Sequence, residues 1–404
     1  LRLEQDLLCP ARGGLLWLWE RYTTAGEPYH CQLILPNRDT IKSLAVRFYG
    51  KSEQPTAYPA VIRLNGELLD TVAIIAQSRG CPPNTYVFES LPGPAAASSR
   101  TIDTLTVELL SAGDVYLDYI EVDYITRLEL SAQNPELTFY TTAPAQLSIT
   151  GVDPATVVLD ITDPWQPRHF TGITGNTASL LLTAPFNRIF AVRSTAFRSP
   201  QLRRRNPGNL RLPEETADYY IIAPDEFLSP ARLLADYRSG KIPGLANGRA
   251  RAVALTQIYD DYAFGMEEPG AIKAFLRAKR PAYGLLLGDA TYDYRDNLKL
   301  NPPPGVPAYE IGFDLDYEVY NEYVRALDAW YADFDGEGSG PDMILARFTA
   351  RTPQQVRQFL EKLRRYETQQ PDLWTRRCLL LADDEFLGDV TKPESFTHLY
   401  NCEN

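Results

Sequence analysis

Charged side chains directly follow an apolar run in the C-terminal half of the sequence. Residues 285–287 are three consecutive leucines, and Gly288, Asp289, Asp293 and Arg295 come after them. Such an unbroken apolar run is typical of a strand buried on both faces of a parallel sheet. Loops at the carboxyl ends of these strands form the ligand crevice of open α/β sheets, so we expect Asp289, Asp293 and Arg295 to bind substrate. The alternative is a loop held by its own ion pairs.

A second group of acids lies among glycines in residues 333–342. It consists of Asp333, Asp335, Glu337 and Asp342. Oxygen ligands on a flexible turn suit calcium, and like charges so close together repel each other unless a cation or water lies between them. The complete EF-hand spacing is absent, so the segment predicts either a structural calcium site or a plain acidic turn. We expect no required cofactor.

Composition limits the possible partners. The 404 residues carry a net charge of -12, which argues against nucleic acid as a partner. No apolar stretch approaches the length of a membrane span. The five cysteines show no C-x-x-C spacing, so they fit neither a zinc site nor a dense disulfide scaffold. Because the first residue is Leu1 and not Met, we expect the sequence to be a processed or truncated piece of a longer protein.

The order of the predicted elements indicates three domains. Residues 1–130 alternate short β-branched and aromatic runs with turns such as Asn65-Gly66, which favours an all-β sandwich of the jelly-roll type. Residues 131–212 have no helical period and predict a small immunoglobulin-like β domain. From residue 213 to 404, apolar runs alternate with helical patterns, which predicts a parallel sheet with helices on both faces.

The elements of this third domain can be placed from their patterns. The apolar runs predict strands at Tyr219–Ala223, Ala252–Ile258, Tyr283–Leu287, Asp342–Phe348 and Cys378–Leu381. The helical patterns predict helices at Ser229–Arg238, Glu268–Ala278 and Thr352–Thr368. The last helix begins with a threonine cap followed by proline at the first helical position. In the first domain, seven strands are predicted at Leu15–Trp19, Tyr29–Leu35, Ser43–Tyr49, Ala60–Leu64, Thr71–Ile75, Leu105–Leu109 and Val115–Tyr124.

Several ordered blocks of the third domain resemble the first half of a gingipain-type cysteine peptidase domain. The blocks are Ile258–Asp261 with Gly265, Pro269–Leu276, Leu285–Arg295, Val306-Pro307, Asp328–Tyr331, Gly336, Pro341-Asp342, Ala346-Arg347 and Tyr366-Glu367. Upstream, Tyr119–Tyr124 and Asp160–Pro164 are similar to the β domains that precede the peptidase domain in the PorU-like branch, the sortases of type IX secretion. The resemblance implies a multidomain chain: two all-β sandwiches, then a caspase-like α/β subdomain with a parallel sheet in three layers.

The resemblance also implies a reaction in which a cysteine thiolate attacks a peptide carbonyl with the help of a histidine. The family places that histidine in a Gly-His-Gly turn and the cysteine at the end of the next strand. Neither motif is present, because His30, His169 and His398 are not flanked by glycines and Cys378 lies within an apolar run. Glu385 matches the position where the family keeps an acid near its histidine, and the alternative for Glu385 is a solvated loop acid.

Two functions follow from these observations. The first is the N-terminal portion of a gingipain-like cysteine peptidase, a cell-surface sortase or signal peptidase of type IX secretion, without its catalytic His and Cys. The second is a non-catalytic surface binding or scaffold protein with a degenerate peptidase domain. Both predict polypeptide partners and a secreted or outer-membrane-associated location, and we expect this chain alone to be inactive.

Overall fold

The computed structural model describes residues 1–77, 82–89, 91, 102–202, 210–213, 216–312, 325–336, 340–370 and 372–379. The chain divides into two compact units, Leu1–Arg351 and Thr352–Asn404. The larger unit is mostly β-sheet. Its described residues form three large hydrophobic cores, whose buried members lie between Tyr22 and Val122, between Leu130 and Ala191, and between Leu210 and Met343, and a smaller cluster of Leu16, Leu18, Tyr49 and Tyr116. The exact domain boundaries drawn from the sequence stay predictions.

In the first region, the described residues form nine strands that hydrogen-bond into one continuous sheet. They are β1 (Arg2–Glu4), β2 (Glu20–Tyr22), β3 (Pro28–Ile34), β4 (Arg38–Lys51), β5 (Thr56–Leu64), β6 (Glu67–Gln77), β7 (Asn84–Phe88), β8 (Ile102–Leu109) and β9 (Asp114–Thr126). Their order is β1-β9-β4-β6-β5-β8-β3, with β2 on β9 and β7 on β4. The division of these strands into two packed layers stays a prediction.

A predicted hairpin and an ion pair that was not predicted stabilise this region. Asn65 and Gly66 both have positive φ angles, 56° and 89°, and join β5 to β6 as a two-residue hairpin in which Leu64 pairs with Glu67. Inside the sheet, Arg38 and Asp103 form a buried ion pair with Nε and Oδ2 2.9 Å apart. Removing one partner of such a pair leaves an uncompensated charge in the core, so the pair ties β4 to β8.

The predicted strand at Leu15–Trp19 is wrong. Within this run, Leu18 makes only an isolated bridge with Leu8, and the regular strand β2 begins at Glu20. The physical reason is that the backbone amides of this run hydrogen-bond to different segments and not to one neighbouring strand. Leu15 N donates to Gly312 O at 2.9 Å, whereas Trp19 N donates to Leu117 O at 2.8 Å.

The second region contains two antiparallel sheets that share one core. The first sheet has the order β10 (Glu136–Thr141), β16 (Asn187–Val192), β12 (Val157–Asp160) and β13 (Arg168–His169). The second has the order β11 (Ala145–Thr150), β15 (Thr177–Leu182) and β14 (Ile173–Thr174). Leu137 and Ile189 of the first sheet and Ile149 and Leu180 of the second belong to the same buried cluster. A short 3₁₀ helix, Ser194–Ala196, follows β16.

The third region contains the predicted parallel sheet. Its strands are β17 (Tyr219–Ala223), β18 (Ala250–Ala254), β19 (Tyr283–Leu287) and β22 (Ile344–Phe348), in the order β18-β17-β19-β22. All three pairings are parallel. The two central strands are buried at every position after the first, as expected for strands covered on both faces. A two-stranded ribbon of β20 (Glu310–Ile311) and β21 (Arg325–Ala326) lies between β19 and β22 in the sequence.

The described residues of this region form four helices: α1 (Leu228–Arg238), α2 (Leu255–Ala263), α3 (Pro269–Lys279) and α4 (Ala329–Ala332). A 3₁₀ turn, Asp225–Phe227, precedes α1. The predicted strand at Ala252–Ile258 is wrong beyond Ala254, because α2 begins at Leu255. Leu255, Ile258 and Tyr259 are buried with the spacing of one helical face, so the apolar run changes its period in the middle.

The smaller unit contains α5 (Pro353–Thr368) and a 3₁₀ helix, Leu373–Arg376. The predicted start of α5 is confirmed, since the Thr352 hydroxyl accepts a hydrogen bond from Gln355 N and Pro353 occupies the first turn. The buried residues of α5 are Val356 and Leu360. Cys378 is exposed and in no strand, which corrects its predicted place inside a buried strand. Four apolar residues preceded by Arg376 and Arg377 are too short a run to determine burial.

No helix in the described part of the chain is long and apolar enough to span a membrane.

Candidate functional site

A cleft lies at the carboxyl ends of the parallel strands. We call it the strand-end cleft; it has a volume of about 780 Å³ and is lined by Pro224–Glu226, Leu255, Thr256, Tyr259, Glu267, Asp289–Thr291, Tyr294, Asp296, Asn301–Pro307 and Arg351. Strand β17 pairs with β18 on one side and with β19 on the other, so the chain changes direction across the sheet at this point. Such a switch point is where open α/β sheets bind ligands.

Asp289 lies in this cleft, as its sequence position predicts. Its Oδ2 is 2.7 Å from Arg351 Nε, and its Oδ1 accepts a hydrogen bond from Ala290 N at 2.9 Å. The backbone is held as well, because Asp289 N donates to Ala350 O and Asp289 O accepts from Val306 N. A Cβ at Gly305 would overlap Asp289 O, which explains a glycine there. Asp289 therefore presents an oriented, ion-paired carboxylate to the cleft.

Arg347 holds the loops that form the floor of the cleft. Its guanidinium binds both carboxylate oxygens of Asp328, at 2.6 and 2.7 Å, and donates to three backbone carbonyls, Gly288 O at 3.1 Å, Val306 O at 2.6 Å and Pro307 O at 3.2 Å. The Tyr331 hydroxyl donates to the same Pro307 O at 2.7 Å. A planar group with five donors is suited to this arrangement, and a lysine could not reproduce it.

Asp293 and Arg295 face a different cleft. The Asp293 carboxylate is 4% exposed and accepts hydrogen bonds from Asn297 N and Leu298 N, both at 2.8 Å. These bonds close the loop after Asp289 into a tight turn. The Arg295 guanidinium stacks 5.5 Å from the centre of the Tyr294 ring. The structure thus separates Asp289 from the other two predicted substrate-binding residues.

This second cleft lies between the N-terminal β region and the α/β region, and we call it the lateral cleft. Its volume is about 620 Å³, and its charged lining residues are Arg2, Glu4, Asp6, Arg47, Asp118, Glu268, Asp293, Arg295 and Glu310. The two regions are linked here by Gly14 N, which donates to Glu310 Oε2 at 3.2 Å, and by Trp17, whose ring centre is 6.1 Å from that of Tyr292.

Asp118 is the most unusual group of the lateral cleft. It is only 7% exposed, and within the described part of the chain its carboxylate accepts no hydrogen bond and forms no ion pair within 4 Å. Burial, reinforced by the nearby Glu4 and Asp6, raises the pKa of Asp118 to about 6, although Arg47 and Arg2 act in the opposite direction. Burial also raises the pKa of Glu310. Sequence reasoning missed Asp118, although an acid within the apolar run Val115–Ile120 is a signal of forced burial.

Three of the four predicted calcium ligands come together. One carboxylate oxygen from each of Asp333, Asp335 and Asp342 lies within 4.8 Å of the others, whereas Glu337 lies outside the described residues. The turn itself uses two of these acids: Asp333 Oδ1 accepts from Gly336 N at 2.8 Å, and Asp342 Oδ2 accepts from Phe334 N at 2.7 Å. The oxygen donor set fits calcium, and it equally fits a self-capped acidic turn.

The described histidines and cysteines do not form a catalytic pair. Cys31 is buried in β3, and burial raises the pKa of its thiol to about 11. Its neighbour His30 is exposed on the other face of the strand, where Nδ1 is 3.0 Å from the Thr106 hydroxyl. Cys9 is buried too, and burial raises the pKa of its thiol. Buried protonated thiols are poor nucleophiles. Glu385, His398, Cys81 and Cys402 lie outside the described residues.

Comparison with known proteins extends this description. Residues 212–402 match the model of Peptidase family C25, which confirms the gingipain-type resemblance expected from the sequence. The crystal structure of dimeric latent PorU from Porphyromonas gingivalis has a similar fold, with a TM-score of 0.74 and 18% identity over 91% of this chain and 38% of that chain. The chain therefore spans well under half of the length of that PorU protein.

Two carbohydrate-binding modules are also similar to part of the chain. The family 35 module from Clostridium thermocellum has a TM-score of 0.20 and 10% identity over 31% of this chain and 98% of that chain. The CBM36 module in complex with calcium and xylotriose has a TM-score of 0.21 and 11% identity over 30% of this chain and 99% of that chain. These scores are too low to support a functional argument. No curated protein sequence matches the chain.

The raised pKa of Asp118 predicts a specific dependence of stability on pH. Above about pH 6 the carboxylate is charged in both states, and the folded state carries the cost of burying it; below the unfolded pKa of about 4 it is neutral in both, and the cost vanishes. Asp118→Asn removes this cost. We expect the variant to be more stable than the unmodified chain by about 2–3 kcal/mol at pH 7.5 and by no more than about 0.5 kcal/mol near pH 4.

Urea unfolding at both pH values measures this difference. Asp39→Asn, at an exposed aspartate of the same region, is the matched control and should change stability little at either pH. A loss of stability in Asp118→Asn at pH 7.5 would mean that the charged form of Asp118 is favoured in the folded protein.

Proposed function

Since residues 212–402 match Peptidase family C25 and contain a four-stranded parallel sheet, we propose that the chain is the leading, non-catalytic part of a gingipain-type cysteine endopeptidase. We place it in the PorU-like branch, whose members act at the cell surface as sortases or signal peptidases of type IX secretion. In this proposal the catalytic histidine and cysteine are absent from this chain, and the α/β region with its parallel sheet is the first part of a caspase-like peptidase domain.

The observation that carries this proposal is the Arg347 cluster. The blocks that resemble the family are far apart in the sequence, yet Arg347 joins three of them, Gly288, Val306-Pro307 and Asp328, by direct hydrogen bonds. A chance resemblance between separate motifs would not require them to meet around one side chain. The similarity of the whole fold to PorU is consistent with this interpretation.

The clefts suggest how this part of the chain contributes to peptide cleavage. We propose that Asp289, in the strand-end cleft, binds donor groups of a polypeptide substrate. Asp293 holds the loop shape through its two backbone partners, and Arg295 lines the lateral cleft, so these two residues influence the substrate from the other side of the loop. Glu385 is proposed as the acid that orients the catalytic imidazole.

A second function has one observation in its favour. The described thiols are buried or lack a nearby histidine, which is also what a degenerate peptidase domain would show. In that case the β regions would bind a polypeptide, such as another component of type IX secretion, and the α/β region would serve as a scaffold. Both proposals place the protein outside the cell or at its surface, and neither involves nucleic acid.

Labelling with a peptidyl chloromethylketone distinguishes the two functions. This reagent alkylates a thiol that is activated as a nucleophile and positioned beside a bound peptide. We expect the isolated 404-residue chain to remain unlabelled and to cleave no peptide. The product of the complete gene should take up one label, on a cysteine outside residues 1–404, and its coding sequence should contain the Gly-His-Gly turn.

Iodoacetamide, which needs no peptide site, provides the control. It should modify the exposed Cys378 of the isolated chain, and Cys378→Ser should abolish that reaction. A peptidyl label on Cys9, Cys31 or Cys378 would contradict the non-catalytic assignment of this part. A complete gene product that stays unlabelled would support the scaffold function.

We also propose structural calcium at the turn of Asp333, Asp335 and Asp342. Binding of calcium to the folded state alone would raise the melting temperature of the chain by at least about 2 °C at saturation, and EDTA would reverse the shift.

Asp335 is the best position for a variant, because its carboxylate has no hydrogen-bond role in the described turn. Asp335→Asn should abolish the shift, and Asp70→Asn, at an exposed residue of β6, should retain it. An equal melting temperature with and without calcium would contradict the proposal and would identify the segment as an acidic turn without a bound cation.

A further inference from the structure

We propose that the lateral cleft is a binding site for an organic cation, and that the Asp118 carboxylate pairs with the ammonium or guanidinium group at the end of its aliphatic chain. Asp118, Glu4 and Asp6 lie in residues 1–130, outside the segment that matches the peptidase family. The inference goes beyond the function proposed above, with which it shares the cleft residues Asp293 and Arg295.

The first argument is the missing partner of Asp118. Asp118 lines the cleft and is 7% exposed as a residue, and no donor in the described part of the chain hydrogen-bonds its carboxylate, whose oxygens retain contact with solvent in the cleft. Buried carboxylates are normally paired, because an isolated charge in a protein interior is costly. A ligand that brings a charged donor into the cleft would remove this cost.

The second argument is the local backbone geometry. The pairing of β4 with β9 shifts between Val46 and Phe48, so that the single residue Arg47 lies opposite both Asp118 and Tyr119. A bulge of this kind redirects side chains and is common beside binding sites. Here the two consecutive residues have different roles: the Tyr119 ring contacts the guanidinium groups of Arg2 and Arg47, and Asp118 lines the cleft.

The arginines closest to Asp118 are engaged elsewhere. Arg2 makes two hydrogen bonds to Glu4, at 2.7 and 3.0 Å, and lies 3.7 Å from the centre of the Tyr119 ring. Arg47 donates to the Thr85 hydroxyl at 3.0 Å and lies 4.6 Å from the centre of the same ring. Both arginines act on Asp118 through space and give it no hydrogen bond.

The charge of the lining determines the class of ligand. Six acidic side chains face the cleft, Glu4, Asp6, Asp118, Glu268, Asp293 and Glu310, against three arginines, Arg2, Arg47 and Arg295. The cleft is therefore negative, and a positively charged ligand is its electrostatic complement. Six aromatic residues also line it, Trp17, Tyr49, Tyr292, Tyr294, Tyr309 and Trp330. Their rings can pack against the aliphatic stem of a long amine and can contact its cationic group.

Calorimetric titration of the 404-residue chain tests this proposal. The probe is N-acetyl-lysine methylamide, and the uncharged N-acetyl-norleucine methylamide has nearly the same shape without the ammonium group. We expect saturable binding of the lysine probe and none of the norleucine probe. Asp118→Asn should weaken the binding of lysine at least about tenfold, and Asp39→Asn should leave it unchanged.

The pH dependence provides a second measurement. A cation is attracted only by the ionised carboxylate, so binding should be about tenfold weaker at pH 5 than at pH 7.5, given a pKa of Asp118 of about 6. Asp118→Asn should remove most of this pH dependence. Glu268→Gln should weaken binding but leave its pH dependence unchanged. Equal binding by the unmodified chain and Asp118→Asn, or by the two probes, would overturn the proposal.

Spermidine distinguishes the possible sources of the cation. Tighter binding of spermidine than of the lysine probe would identify a free polyamine as the ligand. Tighter binding of the lysine probe, or of the corresponding arginine probe, would identify a side chain of a polypeptide. Either result supports an organic-cation site, and no binding of any of these probes at millimolar concentration would refute it.

Discussion

The geometry of the α/β region depends on the five hydrogen bonds of Arg347. The Arg347 side chain is 12% exposed, and its charge is compensated by Asp328 on one side and by three carbonyls on the other. Carbonyl groups in loops have no neighbouring strand that could donate hydrogen bonds to them. A largely buried guanidinium with several N–H donors can supply these bonds and fix the loops. The end of β19, the loop at residues 306–307 and the start of α4 are fixed relative to each other by this one group. The floor of the strand-end cleft is therefore formed before any ligand binds.

Local patterns in the sequence predicted the elements whose geometry is determined locally. The Asn65-Gly66 hairpin, the strand Tyr219–Ala223, the strand Tyr283–Leu287 and the capped helix Pro353–Thr368 were all predictable, because turn chemistry, buried runs and capping each leave a short-range signature. The prediction of a strand at Ala252–Ile258 was wrong after Ala254, because an apolar run does not reveal where its period changes from strand to helix.

Long-range contacts explain what the sequence could not predict about the candidate site. Asp289, Asp293 and Arg295 were expected to act together, but Asp293 turns the loop by binding Asn297 N and Leu298 N, and this turn directs Asp293 and Arg295 into another cleft. That cleft forms where the segment Gly14–Trp17 meets residues of the α/β region, for example where Gly14 N donates to Glu310, 296 residues later. The partner of Glu310 leaves no trace in local sequence patterns, whereas the burial of Asp118 leaves only one, an acid within an apolar run.

The central claim is that Arg347 holds the strand-end loops in place, and amide hydrogen exchange of Arg347→Lys tests it most directly. The protected amides to follow are Gly288, Asp289 and Val306, which donate to Phe348 O, Ala350 O and Asp289 O. We predict that they exchange much faster in the variant, whereas the hairpin at Asn65-Gly66 keeps its protection and Arg351→Lys, at the exposed rim, changes little. Unchanged protection of these three amides in Arg347→Lys would contradict the account.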